Sequence, residues 1–216
     1  RPRVDPRTVD DPKLPRILVV GDSISMNYHA AAKTALKGIA NYHRVDGNCG
    51  PSDRGLVCME LWLGDYTQKG LGWNVIQFNH GLHDLKQTYD EESGEYGSHQ
   101  VSIEDYKANL EREIQLMKKT GATLVWCSTT PVPMSSFGHW SNGTFGRRQD
   151  EDLVYNQAAL DVIAKHPEIQ INDINGFIRD CDKFDDWRLQ KDVHFWNGDL
   201  QKVVGAAVAE RLKTVL

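Results

Sequence analysis

Short apolar runs alternate with longer stretches of helical composition along this 216-residue chain. In Ile17-Leu18-Val19-Val20 three of four residues are β-branched and none is polar, the pattern of a strand buried on both faces. Residues 28–38 follow, rich in Ala, Lys and Leu, and predict a helix. Residues 41–45 predict a short second strand, 56–63 an amphipathic helix and 73–78 a third strand. A long helix is predicted over 102–120. Ser102, Glu104 and Asp105 form its first turn, and Gly121 ends it. Residues 122–128 predict a fourth buried strand, 153–165 a helix and 169–174 a fifth strand. One or two helical turns are expected over 176–183. A closing helix over 199–216 carries Leu200, Val203, Val204, Ala207, Val208 and Leu212 on one face.

Between these elements lie polar, turn-rich segments. Residues 46–55 are dense in Gly, Asp, Asn and Pro and predict a loop. Residues 87–99 are acidic and predict a solvated excursion, and 131–150 a long loop carrying Phe137, His139 and Trp140. Residues 1–15 hold four prolines and no periodicity, so they are expected to form an extended lead-in to one domain over 16–216. Strands alternating with helices imply parallel βαβ units, hence an α/β protein: a three-layer α/β/α sandwich around a central, mostly parallel sheet. Loops that follow parallel strands open on one edge of the sheet. Ser23, Gly50, His83, the 131–150 loop and His194 are all expected at that edge.

Composition narrows the possibilities. The charged fraction of 25% and net charge of −5, with no basic face, argue against a polyanion binder, so no nucleic-acid partner is expected. No apolar run reaches the roughly 20 residues of a membrane span. No signal peptide is visible, and location is left open with a lean to a secreted or periplasmic protein. The sequon Asn142-Gly143-Thr144 is read more simply as an Asn-Gly turn. Cys49, Cys58, Cys127 and Cys181 form no CxxC pair, so structural zinc is not expected. Cys127 reads as a core residue, and Cys49 and Cys58 are close enough in sequence to bridge.

Ser23 sits between a buried strand and a helix N-terminus. There, free N–H groups and the positive dipole end face a developing anion. The same Asp22-Ser23 pair would also make an ordinary helix cap. A serine nucleophile needs a base and an oxyanion site. Of the eight histidines, His194 lies before the closing helix and beside Asp192, a carboxylate able to orient its ring. His80, His83 and His194 show no HxH or HExxH spacing, so no metal is expected.

Four blocks in this order resemble the SGNH hydrolases, the GDSL esterases and lipases. Gly21-Asp22-Ser23 is similar to the nucleophile block. Gly50 in Asn48-Cys49-Gly50-Pro51-Ser52 is similar to the second block, whose glycine N–H faces the oxyanion. Gly81-Leu82-His83-Asp84 falls at the third block and Asp192-Val193-His194 at the last. The resemblance runs from Leu14 to the C-terminus and implies a flavodoxin-like fold and a Ser23–His194–Asp192 site. It also implies an oxyanion hole from the N–H groups of Ser23 and Gly50 with a third-block side chain. That block is Gly-x-Asn-Asp in the family, and here His83 stands at the asparagine position. Asn79 is the second choice of donor. The family acid stands three residues before the histidine, where this chain has Lys191. Either Asp192 takes the role in a tighter loop, or a backbone carbonyl orients the ring.

The resemblance implies hydrolysis of small acyl esters, acetyl foremost, on a small-molecule or polysaccharide carbohydrate substrate, with no cofactor. His80, Trp140 and Trp196 are expected to line the substrate site. The rival readings are a lipid, aryl or thioester hydrolase, an acyltransferase with the same site, or a non-catalytic carbohydrate-binding relative.

Overall fold

The structure is a computed structural model and describes residues 9–188, 193–194 and 198–216. Five strands form a parallel sheet: β1 (Arg16–Val20), β2 (Asn41–Arg44), β3 (Val75–Phe78), β6 (Thr123–Cys127) and β9 (Gln170–Asn172), in the order β2-β1-β3-β6-β9. Counting only these strands, the order is 2-1-3-4-5, the flavodoxin-like winding expected from the sequence. Side-chain alternation divides each strand between two cores. Leu18, Val20, Ile76, Phe78, Leu124 and Trp126 pack beneath α2 (Ser52–Leu63), α3 (Ile103–Lys118) and α4 (Glu151–Ile163). Ile17, Val19, Val75, Val125 and Cys127 pack against α1 (Ser23–Ala35), α5 (Ile174–Arg179) and α7 (Gly198–Lys213). Layers on both faces explain why these strands read as unbroken apolar runs.

Two helices begin a full turn or more before the sequence predicts. α1 starts at Ser23, because Asp22 caps it by accepting the Ile24 N–H at 2.9 Å. α2 starts at Ser52, after Pro51, and runs through Gly55. A Cβ on Gly55 would lie 1.7 Å from Glu113 Oε1, so the missing side chain makes room for a buried carboxyl from α3.

The polar segments hold a second sheet that the sequence reading missed. β4 (Gln87–Asp90), β5 (Glu95–His99), β7 (Ser136–Trp140) and β8 (Gly143–Arg147) form an antiparallel sheet in the order β5-β4-β8-β7. Residues 87–99 are therefore a hairpin rather than a solvated loop, and 131–150 contains a second hairpin. Its Trp140↔Gly143 pairing closes a two-residue turn at Ser141-Asn142, one residue earlier than the Asn-Gly turn expected, with Gly143 already in the strand. This sheet has no buried core of its own. It is held by aromatic contacts such as Tyr89 stacked on Phe137 with ring centroids 4.4 Å apart. A short helix, α6, spans Phe184–Arg188.

The edges of the main sheet are covered. Asn41, on β2, takes the Asp11 N–H at 2.9 Å and donates to the Leu14 carbonyl at 3.0 Å. On the opposite edge, Arg211 of α7 donates to the Ile171 carbonyl of β9 at 2.8 Å. All four cysteines are free, so Cys49 and Cys58 do not pair. No helix among the described residues is long and apolar enough to cross a membrane.

Candidate active site

The site lies where the strand order reverses, at the carboxyl ends of β1 and β3, the usual ligand position in wound α/β sheets. Ser23 opens α1, so its backbone N–H is one of the first-turn donors the helix leaves unpaired. Its Oγ is 2.8 Å from His194 Nε2. Asp22 is thus the cap of α1, and Ser23 beside it faces the histidine. Val193 is buried in the core beneath α3, and Asn27 Nδ2 donates to the His194 carbonyl at 3.1 Å. These contacts fix the histidine from the backbone side. Asp192 and Trp196 lie outside the described residues, and so does Lys191.

His83 follows β3 and is half-buried at the same edge. Its ring makes no hydrogen bond among the described residues. Burial pushes its pKa down to about 3, helped by Lys86, Arg147, His80 and His194 nearby. The ring is therefore neutral at ordinary pH, with one N–H to donate and one lone pair. Asn79, the second choice for the same role, is committed elsewhere. Its Nδ2 donates to the Cys127 carbonyl at 2.8 Å and to Thr129 Oγ1 at 3.3 Å, tying the end of β3 to that of β6. Both amide protons are used, so Asn79 works as a tie between strands rather than as an oxyanion donor.

Gly50 adopts a positive φ of 70°, which favours glycine. Its N–H donates to Asn48 Oδ1 at 2.8 Å, an Asx turn, and its carbonyl accepts from His80 Nδ1 at 2.8 Å. That second bond fixes the His80 tautomer, since a carbonyl only accepts. His80 is 0% exposed and does not line the substrate site as expected; it holds the second block from below. Its Nε2 points at Glu113 Oε1, 3.3 Å away and equally buried. Burial drives Glu113 well above the usual carboxylate range and His80 below the usual imidazole value. The two meet as a neutral acid and a neutral base rather than as an ion pair.

Asp84, also fully buried, accepts the Ser52 N–H at 2.8 Å and so joins the third block to the start of α2. Burial raises its pKa to about 7 against the lowering effect of the Ser52 bonds. Arg147, from β8, donates through Nε to the Leu82 carbonyl at 2.8 Å and ties the small sheet to the loop bearing His83. Trp140 is 44% exposed at the tip of that sheet. No group of three His, Cys, Asp or Glu residues able to hold a metal occurs among the described residues.

Neither a protein-family model nor a curated protein sequence matches the chain. Solved structures do match. A GDSL-like lipase from Bacteroides thetaiotaomicron aligns over 96% of this chain and 92% of its own, with TM-score 0.62 and 12% identity. An acetyl xylan esterase aligns over 90% and 98%, with TM-score 0.62 and 14% identity. The C-terminal catalytic domain of a Streptococcus pneumoniae peptidoglycan O-acetyltransferase aligns over 94% and 93%, with TM-score 0.57 and 15% identity. The fold is that of the SGNH hydrolases.

Proposed function

We propose that this chain is a carboxylic ester hydrolase that removes small acyl groups, acetyl foremost, from a carbohydrate. The observation that carries the reading is the 2.8 Å contact between Ser23 Oγ and His194 Nε2, at the sheet edge where the fold binds ligands. His194 takes the Ser23 proton as Oγ attacks the ester carbonyl. The tetrahedral oxyanion is held by the Ser23 N–H and the neutral His83 ring. Gly50 joins them once its N–H turns from Asn48. His194 then protonates the leaving alcohol, and water releases the acid from the acyl-enzyme. We assign Asp192 to orient His194.

The carbohydrate preference draws on the fold shared with the acetyl xylan esterase and on the exposed Trp140 of the small sheet, which Arg147 ties to the loop bearing His83. Transfer of the acyl group to a sugar hydroxyl instead of water is the second reading, drawing on the O-acetyltransferase domain. The test compares 4-nitrophenyl acetate and octanoate with acetylated xylo-oligosaccharides, scored by acid release and by new sugar ester. Ser23→Ala is expected to remove acetate release while leaving the thermal midpoint within a few degrees. Near wild-type turnover in that variant would overturn the mechanism.

A further inference from the structure

The first turn of α1 carries a set of hydrogen bonds that the hydrolytic steps leave unused. Asp22 is the cap of that helix, and a cap carbonyl ordinarily accepts one bond, from the N–H four residues on. Here that bond, from Met26, is long at 3.3 Å. Two side chains add to it. Ser25 Oγ donates to the Asp22 carbonyl at 2.7 Å, and Arg44 Nη2 donates to it at 3.2 Å. Arg44 Nε in turn donates to Ser25 Oγ at 2.7 Å, so the hydroxyl accepts from the cation and passes its own proton to the carbonyl. The rest of the guanidinium is spent on backbone oxygens. Nη2 reaches the Gly21 carbonyl at 3.0 Å and the Gly47 carbonyl at 2.7 Å, and Nη1 reaches the Val45 carbonyl. Ser25 is buried, so the chain of bonds runs out of reach of water.

The peptide whose oxygen collects these donors is the one whose nitrogen belongs to Ser23. Donation to a carbonyl draws charge through the amide and makes its N–H a stronger donor. We propose that Arg44 and Ser25 are positioning residues of the oxyanion hole, which act by polarising and holding the Asp22–Ser23 peptide. The inference rests on the esterase reading above. Arg44 also sets the spacing between two oxyanion donors. Ser23 follows β1 and Gly50 follows β2, and the ladder between these strands ends where the Val45 N–H meets the Val19 carbonyl at 3.0 Å. Beyond it the two loops are joined by the Cys49 N–H on the Gly21 carbonyl at 3.3 Å and by the guanidinium, which grips Gly21 and Asp22 on one side and Gly47 on the other. His80 holds the Gly50 carbonyl at the far end of the second loop. The Gly50 N–H then turns from Asn48 to an oxyanion without the loops moving apart.

The test measures 4-nitrophenyl acetate hydrolysis by Arg44→Met, Arg44→Lys, Ser25→Ala and the double variant of Arg44→Met with Ser25→Ala, corrected for the folded fraction in a thermal melt. A donor weakened rather than deleted should cost less than the roughly 10²–10³ of a lost one. The expected fall in kcat is about tenfold in Arg44→Met and about threefold in Ser25→Ala, with KM within about twofold. Lysine, a point charge without the fork, should fall between wild type and Arg44→Met. The double variant should lose little more than Arg44→Met alone, because both side chains act on one peptide. In isotope-labelled protein the Ser23 amide nitrogen signal should move upfield in each variant, as its carbonyl loses a donor, while those of β1 stay in place. A packing role alone would lower the melt and leave both kcat per folded molecule and the Ser23 signal unchanged, which overturns the proposal. A rise in KM at constant kcat overturns it too. Should Arg44→Met fail to fold, Ser25→Ala decides on the same readouts. Ser23-dependent cleavage by the wild type separates the two failures. If it holds while the variants keep wild-type kcat, this role falls and the esterase stands; if it is absent, both fall.

Discussion

His83 is the residue on which the chemistry departs furthest from the pattern it resembles. An amide at this position offers a donor at every pH, whereas an imidazole offers a fixed neutral donor only if it stays unprotonated. Burial and the surrounding positive groups supply that condition, holding the ring neutral down to a pH of about 3. His83→Ala is expected to lower kcat by roughly 10²–10³ with little change in KM, because the bond strengthens as charge develops on the oxygen. His83→Asn should recover part of that loss. The acid limb of the kcat/KM profile should fall at the same pH in wild type and His83→Asn, since His83 does not titrate in the working range. A limb that moves would show that His83 carries the titration. Asn79→Ala, by contrast, removes two bonds between β3 and β6. Its expected effect is a lower urea midpoint, about 1–2 kcal/mol, with kcat little changed in the folded fraction.

At the scale of elements, the second block rests on a stack that crosses two helices. Glu113 from α3 occupies the space left by Gly55 in α2 and faces His80, which holds the Gly50 carbonyl. Gly55→Ala is expected to cost about 1–3 kcal/mol by overpacking, and less in a Glu113→Ala background. A double-mutant cycle in urea reads that difference. The pH dependence has a definite sign. The folded pKa of Glu113 lies above its unfolded value near 4.5, so the folded state holds the proton longer. Stability is therefore lost as pH rises above about 4.5, until the folded group itself ionises. Glu113→Gln removes the titration and keeps an uncharged side chain of the same length. Its stability relative to wild type should rise with pH from 4.5 to 8. A difference that stays flat over that range would mean Glu113 is ionised in the fold.

These details bear on what could be read from the chain alone. The parallel sheet was legible because strands buried on both faces spell unbroken apolar runs, as at residues 17–20. The order of the Ser23, Gly50, His83 and His194 blocks was legible because the first three each come after a strand and the last comes just before the closing helix. The small sheet was not, because its strands are part-exposed, short and crossed by Gly97, Gly138 and Gly146, so no alternation stands out. His80 was misread as a lining residue because its neighbours in sequence are at the site while its ring points away from it. A signal for its true role was present. Glu113 stands among the inward positions Tyr106, Leu110, Ile114 and Met117 of α3, where a carboxyl signals a buried partner.

On the scale of the whole molecule, the covered rims of the main sheet have a consequence for how the protein behaves in a crowded or heated solution. A parallel sheet ends in rows of unpaired backbone groups that recruit strands from other chains. Here the guanidinium of Arg211 occupies an outward carbonyl on β9, and residues 11–14 are pinned across the start of β2 by Asn41. The cation also makes the approach of a second β9 repulsive. Arg211→Ala should therefore leave kcat unchanged and yet raise light scattering on incubation a few degrees below the thermal midpoint. Intermolecular β signal should grow in the amide I band as it does. The same incubation of wild type should stay clear, which would make a single arginine far from Ser23 the main guard of the protein's shelf life.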